Sequence, residues 1–287
     1  MRISGTTKLL GVLGHPVEHS LSPLMHNAAI AHLGINYVYL PLLVPSEQLA
    51  QAIAGFEAMG LVGFSVTIPH KQAIMPLLTE VSELAQRVGA VNTVWWGDRG
   101  WVGTNTDVAG FVAPLHAMPR AWEETTAVVL GNGGAARAVV AGCDLLGCAQ
   151  IVVVGRNTAK LEAFQQSWAT ASVASRLAIA PWEALPTLLP RATLLVNTTP
   201  VGMHPHIDVS PLTAEALALL PAGAIAYDLI YTPRPTQFLQ LAQAQGAIAL
   251  DGLEMLAQQG AIALHHWTGQ PAPIDIMRQA LMAHFTP

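Results

Sequence analysis

The chain has 287 residues, of which 52% are hydrophobic and 11% charged, and its formal net charge is −5. That length allows one large or two medium domains, and the apolar balance suits an α/β protein with sheets buried on both faces. The acidic balance leaves no basic footprint for nucleic acid, and the two cysteines, Cys143 and Cys148, read as buried small hydrophobes of a reducing compartment.

Lys8, His15 and Glu18 interrupt any cleavable apolar leader. The longest apolar run, Ala138 to Gly155, contains Asp144 and Gln150 and splits into helix plus strand, so it is not a membrane span. A soluble cytoplasmic protein is expected.

Lys8–Leu13 reads as a first strand. Ser22-Pro23 then starts a helix, with Ser22 as N-cap and Pro23 at its first position; Leu24, Ala28, Ala31 and His32 continue it, and Gly34 stops it. Tyr37–Leu40 is a second strand, Ser46–Met59 a helix capped by Ser46, and Leu61–Val66 a third strand. Val91–Trp96 and Trp101–Thr106 flank the hairpin loop Gly97-Asp98-Arg99-Gly100, and a helix runs from Asp107 to about Met118. From Val128 the alternation resumes, with strands at Ile151–Val154, Leu177–Ala180, Leu194–Asn197, Ile225–Leu229 and Ala247–Leu250. A helix runs from Pro235 to near Gly246, and Gly252–Trp267 and Ile274–Phe285 close the chain as helices. Two α/β units with a cleft between them are expected, and small-molecule sites favour such interfaces.

Val128-Val129-Leu130 followed by Gly131-x-Gly133-x-x-Ala136 and an Ala/Val-rich helical run is the strand–turn–helix unit of dinucleotide-binding folds. Gly131 permits the tight turn, Gly133 lets the backbone approach a pyrophosphate, and the helix N-terminus faces the anion. The cofactor ribose belongs at the end of the next strand, about 20 residues on. An NAD site would place an acid there. This chain places Gly155-Arg156-Asn157-Thr158 with Lys160, and no acid until Glu162, which suits the 2′-phosphate of NADP.

Four further stretches could carry chemistry. Ser20 and Ser22 offer hydroxyls at a helix N-terminus, a seat for a carboxylate. Thr67, His70 and Lys71 follow the third strand, where ligands of open α/β sheets gather. Asn105-Thr106-Asp107 adds one carboxylate, and Asn197–Met203 is a polar turn at another strand end. Alone, Ser22 is a plain N-cap that leaves Ser20 idle, Lys71 is a solvated side chain at a helix start, and the cluster around Asp107 is equally a loop and an N-cap. His204-x-His206 and His265-His266 lack further ligands at metal spacing, so no metal is expected.

Taken in order, SLSP at Ser20–Pro23, SVTIPHK at Ser65–Lys71, GAVNT at Gly89–Thr93 and NTD at Asn105–Asp107 resemble the shikimate dehydrogenase family. GNGGAAR at Gly131–Arg137, NTTPVGM at Asn197–Met203, YDLIY at Tyr227–Tyr231 and DGLEML at Asp251–Leu256 extend the resemblance over nearly the whole chain. It implies a reversible NADP-linked reduction of 3-dehydroshikimate to shikimate. Lys71 and Asp107 would form the catalytic pair, with Lys71 the proton carrier. Ser20 and Ser22 would hold the substrate carboxylate; Thr67, Asn92, Asp107 and Gln259 would bind its polar groups, with Tyr231 beside it. The cofactor would lie on Gly131, Asn132, Gly133, Gly134 and Ala135, on Gly155, Arg156, Asn157, Thr158, Ala159 and Lys160, and near Leu229 and Gly252. The substrate domain would take residues 1–106 plus 252–287 and a Rossmann-type NADP domain residues 107–251. A monomer or homodimer acting on a small molecule, with neither nucleic acid nor membrane as partner, completes what the resemblance implies.

Three departures accompany it: Ser65 where many relatives carry Asn, Val108 where Gly often follows NTD, and Gly155-Arg156-Asn157 where many carry Asn-Arg-Thr. A quinate/shikimate dehydrogenase would favour an acid after Ile151–Val154, and none is there. A folate-linked NADP dehydrogenase leaves SLSP and NTD unexplained, and a non-catalytic NADP-binding regulator has no need of both Lys71 and Asp107.

Overall fold

A computed structural model describes residues 3–286. The chain divides into two compact units: one takes the residues up to Gly110 and those from Leu256 onward, the other Phe111–Met255. The chain leaves the first unit inside the helix Asp107–His116 and returns to it inside the helix Leu253–Thr268.

The first unit is built on a mixed sheet of β1 (Lys8–Gly14), β2 (Tyr37–Leu43), β3 (Gly63–Val66), β4 (Glu80–Val81), β5 (Thr93–Gly97) and β6 (Gly100–Thr104), in the order β2-β1-β3-β5-β6-β4. β1 runs parallel to β2 and β3, while β5 is antiparallel to both β3 and β6. The ends of β1, β3 and β6 therefore share one edge with the start of β5. Phe64, Val66, Ile74, Val91, Val94 and Trp101 make the core on one side. Trp267 covers Gly63, where any side chain would collide with its indole, and the indole N–H donates to the Val94 carbonyl at 2.8 Å.

Local chemistry departs from expectation in three places. The helix Ser22–Leu33 has Leu21, not Ser22, in the cap position, and Leu21 offers no capping side chain; its buried face is Ser22, Met25, His26, Ala29 and Ile30, while Leu24 is exposed. Ser46 caps nothing either: Pro45 precedes a 3₁₀ turn, Ser46–Gln48, and the α-helix is Leu49–Ala58. β4 and a helix at Glu83–Val88 were not anticipated, although Ser82 accepts the Ala85 N–H and Gly89 ends the helix at φ 68°, both ordinary helix boundary signals.

The second unit has a wholly parallel sheet of β7 (Thr126–Leu130), β8 (Gln150–Gly155), β9 (Leu177–Pro181), β10 (Leu194–Asn197), β11 (Ile225–Asp228) and β12 (Ile248–Leu250). Its order, β12-β11-β10-β7-β8-β9, is that of dinucleotide-binding folds. Alternate strand residues fill the two faces: Val129, Ile151, Val153 and Val196 pack with Phe111, Val139 and Cys143, and Val128, Val152, Val154 and Leu195 pack with Leu185, Leu217 and Phe238. That two-sided burial explains the near-continuous apolar strands. Among the described residues no helix is long and apolar enough to cross a membrane.

Candidate active site

In the first unit the shared sheet edge gathers Lys71, Asn92, Thr106 and Asp107. Lys71 follows β3 by one short turn, in which the His70 N–H bonds the Thr67 carbonyl and the His70 ring N–H donates to the Val44 carbonyl at 2.7 Å. The Lys71 carbonyl accepts the Val91 N–H, which pins it beside Asn92. Asp107 is the first residue of its helix, where a negative charge is favoured; the Asn105 side chain accepts the Val108 N–H and so serves the helix start.

The Lys71 ammonium lies 2.5 Å from Asp107 Oδ2, with side-chain exposures of 16% and 7%, so the pair is largely withdrawn from water but can still be reached from the lysine side. Asp107 Oδ1 accepts from Asn92 Nδ2 at 2.9 Å. Asn92 Nδ2 also reaches Thr106 Oγ1 at 2.9 Å and Gln259 Oε1 at 3.2 Å, and Asn92 Oδ1 accepts the Thr106 N–H at 2.7 Å. Gln259 enters from the helix Leu253–Thr268, where its Nε2 donates to the Leu256 carbonyl. A charge pair and two carboxamides thus form one connected group, able to bind hydroxyls and to exchange a proton.

Ser20, Ser22 and Thr67 follow β1 and β3 at the same edge. Thr67 is half-buried; its N–H bonds the Leu13 carbonyl, and Gly14 leaves the space its methyl occupies. Ser20 Oγ accepts the Ser22 N–H, so the helix start is served by Ser20 rather than by Ser22. The Ser22 side chain, 6% exposed in its residue, is left to serve something other than a cap.

The second unit holds the remaining candidates. Gly131 turns at φ 101°, which favours glycine, and a side chain there would also press on Thr198 Oγ1 and the Thr199 methyl. The helix Gly134–Leu146 begins with Gly133 in the cap position and no capping side chain, and Gly133 faces open space. Asn132, Gly134 and Ala135 are half-buried around that start. An anion fits there, because the first N–H groups of a helix lack partners of their own. After β8, Gly155 is buried, while Arg156, Asn157, Thr158, Ala159 and Lys160 are exposed; Asn157 caps the following helix through the Lys160 N–H at 2.9 Å. Leu229 and Gly252 meet directly, since a side chain at 252 would collide with the Leu229 carbonyl. Tyr231 stands half-buried on the segment after β11. Arg137, on the second turn of that first helix, stacks over Phe164 at 5.1 Å, and burial lowers its pKa.

Sequence reasoning missed a second buried polar cluster. The Asp228 carboxylate, fully buried, accepts from Asn197 Nδ2 at 3.0 Å, the Ile230 N–H at 3.1 Å and Thr236 Oγ1 at 2.7 Å. Asn197 Oδ1 in turn accepts from the N–H and hydroxyl of Thr199. Burial pushes Asp228 up to about 6 against the pull of these donors. The cluster ties together the loops after β10 and β11. A polar residue ending each of two neighbouring buried strands was the available signal.

The first part of the chain, residues 12–94, matches the family model described as the shikimate dehydrogenase substrate binding domain, and residues 252–282 match that of the shikimate 5′-dehydrogenase C-terminal domain. The chain is 62% identical over 284 residues to the shikimate dehydrogenase (NADP+) of Trichormus variabilis, covering 98% of each. Among solved structures, a shikimate dehydrogenase in complex with NADP+ aligns with a TM-score of 0.87 at 38% identity, covering 100% of this chain and 98% of that one. The shikimate 5-dehydrogenase of Thermus thermophilus, solved with NADP(H) and shikimate, aligns at 0.82 and 36% identity, covering 96% and 99%.

Proposed function

The chain belongs to the shikimate dehydrogenase family, and from that premise we propose that it catalyses the reversible NADPH-dependent reduction of 3-dehydroshikimate to shikimate in aromatic amino acid biosynthesis. The observation that carries the chemistry is the Lys71–Asp107 pair at 2.5 Å, joined through Asn92 to Gln259.

Bound NADPH supplies a hydride to the ketone carbon. The oxygen of that ketone gains negative charge as the hydride arrives, and Lys71 gives it a proton, with Asp107 holding the ammonium in place before transfer. In the reverse direction Lys71 takes the hydroxyl proton. Asn92 and Gln259 orient the substrate hydroxyls, Thr67 adds a further polar contact, Ser20 and Ser22 seat the carboxylate, and Tyr231 is assigned to the substrate as well. The cofactor pyrophosphate is assigned to Gly131, Asn132, Gly133, Gly134 and Ala135, its 2′-phosphate to Arg156 with Asn157, Thr158 and Lys160, and its nicotinamide to the Leu229–Gly252 contact. In this reading residues 1–106 with 252–287 bind substrate and residues 107–251 bind NADP. The protein is assigned to the cytoplasm as a monomer or homodimer, with neither nucleic acid nor membrane as partner.

Mixing the purified protein with shikimate and NADP+ and following reduced-nicotinamide absorbance tests the reading directly. Growth of absorbance with NADP+ well above that with NAD+ is expected. No growth with either cofactor sinks the activity, and growth with NAD+ alone sinks the cofactor assignment.

A further inference from the structure

The polar cluster around Asn92 contains more acceptors than the amide has protons, and the fully buried Thr93 lies against it. Asn92 cannot turn its carboxamide over, because its oxygen accepts the Thr106 backbone N–H at 2.7 Å. Gln259 cannot either, because its Nε2 donates to the Leu256 carbonyl at 2.8 Å, which points its oxygen at Asn92. The two protons of Asn92 Nδ2 therefore face three acceptors: Asp107 Oδ1 at 2.9 Å, Thr106 Oγ1 at 2.9 Å and Gln259 Oε1 at 3.2 Å. If all three are to receive a proton, one of them needs another donor.

Thr93 is the supplier. Its Oγ1 lies 3.0 Å from Thr106 Oγ1 and 3.3 Å from Asn92 Oδ1, so the shorter path for its proton is to Thr106. When Thr93 donates to Thr106 Oγ1, Thr106 turns its own proton to Asn92 Oδ1 at 3.3 Å, and both Asn92 protons are released to Asp107 and Gln259. The hydroxyl protons of Thr93 and Thr106 and both amide protons of Asn92 then each have an acceptor. Thr93 is fully buried and acts only through its neighbours.

We propose that Thr93 is a positioning residue for substrate binding: through Thr106 it frees Asn92 to bridge Asp107 and Gln259, and so fixes the Gln259 carboxamide for a substrate hydroxyl. Without the Thr93 hydroxyl, Thr106 Oγ1 draws on an Asn92 proton. The charged Asp107 keeps its bond, since bonds to ionised acceptors are the stronger ones. Gln259, at the longest distance, loses this bond and keeps only the one its Nε2 gives to the Leu256 carbonyl, so its carboxamide is held at one end instead of two.

The proposal rests on the dehydrogenase reading, and its test separates the two. Thr93→Val keeps the volume and removes the hydroxyl; KM for shikimate should rise about fivefold, the worth of one neutral hydrogen bond, with kcat within about twofold. Thr93→Ser should restore KM. If valine strains the core, Thr93→Ala repeats the measurement. In protein without substrate, the side-chain amide resonances of Asn92 and Gln259 should shift in Thr93→Val and return in Thr93→Ser. Unmoved resonances, an unchanged KM, or a fall in kcat at constant KM overturns the role of Thr93 while the activity stands. A wild-type protein that does not oxidise shikimate removes the dehydrogenase reading, and the resonances alone then decide whether Thr93 positions Gln259.

Discussion

In the first unit the candidate groups are withdrawn from water and bonded to one another: Asn92, Asp107 and Gln259 are buried, and Lys71 is nearly so. In the second unit Arg156, Asn157, Thr158, Ala159 and Lys160 stand exposed, and the glycine turn offers backbone N–H groups. The difference matches the two tasks proposed for them. A proton donor must meet a charge that exists only in the transition state, so it has to be held in advance in a partly dry setting. A phosphate arrives with its charge already made and needs cations and N–H groups within reach. The second unit does bury a carboxylate, Asp228, but among the described contacts neutral donors answer it and no cation does. Burial alone therefore does not single out the proposed site. Lys71 and Asp107 differ from Asp228 in the paired cation, and from the ion pairs Arg176–Asp144 and Arg234–Asp251 in being the more withdrawn from water.

Lys71→Met tests that distinction most severely. It should fold normally and bind NADP, with kcat lower by roughly 10²–10⁴, the usual worth of a positioned general acid–base. KM should change much less than kcat, because the interaction lost belongs to the transition state. A tenfold rise in KM with kcat intact, measured by steady-state kinetics, would make Lys71 a binding residue and move the proton carrier to Asp107 or Tyr231.

The exposed face of the comparison is broken by Arg156→Asp, which sets a carboxylate where the 2′-phosphate should sit. NADP affinity should fall about ten- to a hundredfold, as for a lost charge-assisted hydrogen bond, and NAD use should rise in relative terms. Titration of both cofactors reads this, and indifference of NADP binding would place the phosphate at Asn157, Thr158 or Lys160 alone. Ser22→Ala should raise KM for shikimate about tenfold, a single hydrogen bond to a charged group. Because Ser20 and not Ser22 serves the helix start, thermal stability should stay unchanged. A loss of stability with KM unmoved would return Ser22 to the helix and remove it from the substrate.

The second unit was the more legible of the two in sequence, for a physical reason. A parallel sheet buried on both faces must be apolar throughout, and the turn at Gly131 needs a residue free to adopt φ 101°, so both leave marks in composition. The candidate groups of the first unit come from Lys71, Asn92, Asp107 and Gln259, with Asn92 and Gln259 alone 167 positions apart, and no local pattern joins them. Only the ordered set of motifs did. Caps failed for a third reason: Ser22 and Ser46 have the right chemistry one residue away from where the backbone turns, and the hydroxyl of neither bonds the helix start. Thr93 closes the motif Gly89–Thr93, but nothing there marked its role, since an inward threonine on a strand looks like any β-branched core residue.

The two units should also answer pH in opposite directions, by at most about 1.4 kcal/mol per pH unit for each group. Asp228 sits at about 6 when folded, above its ordinary 3.8. Between those values the folded chain holds a proton that the unfolded chain gives up, so its contribution to stability is lost as pH rises through that window. His26, in the first unit, is fully buried and stacked on Tyr39 at 4.3 Å, and burial lowers it from 6.5 to about 3. There the unfolded chain takes the proton, so stability is lost as pH falls from about 6.5 toward 3. Asp228→Asn can keep the cluster's bonds, with the amide oxygen accepting from Asn197 and Ile230 and the amide nitrogen donating to Thr236. His26→Phe keeps a ring against Tyr39. Denaturant midpoints taken across the acid range should show Asp228→Asn gaining on the wild type as pH rises, and His26→Phe gaining as pH falls. Should Asp228→Asn run parallel to the wild type throughout, the three donors hold Asp228 ionised in the fold. Its cluster would then differ from that of Lys71 only in lacking the cation.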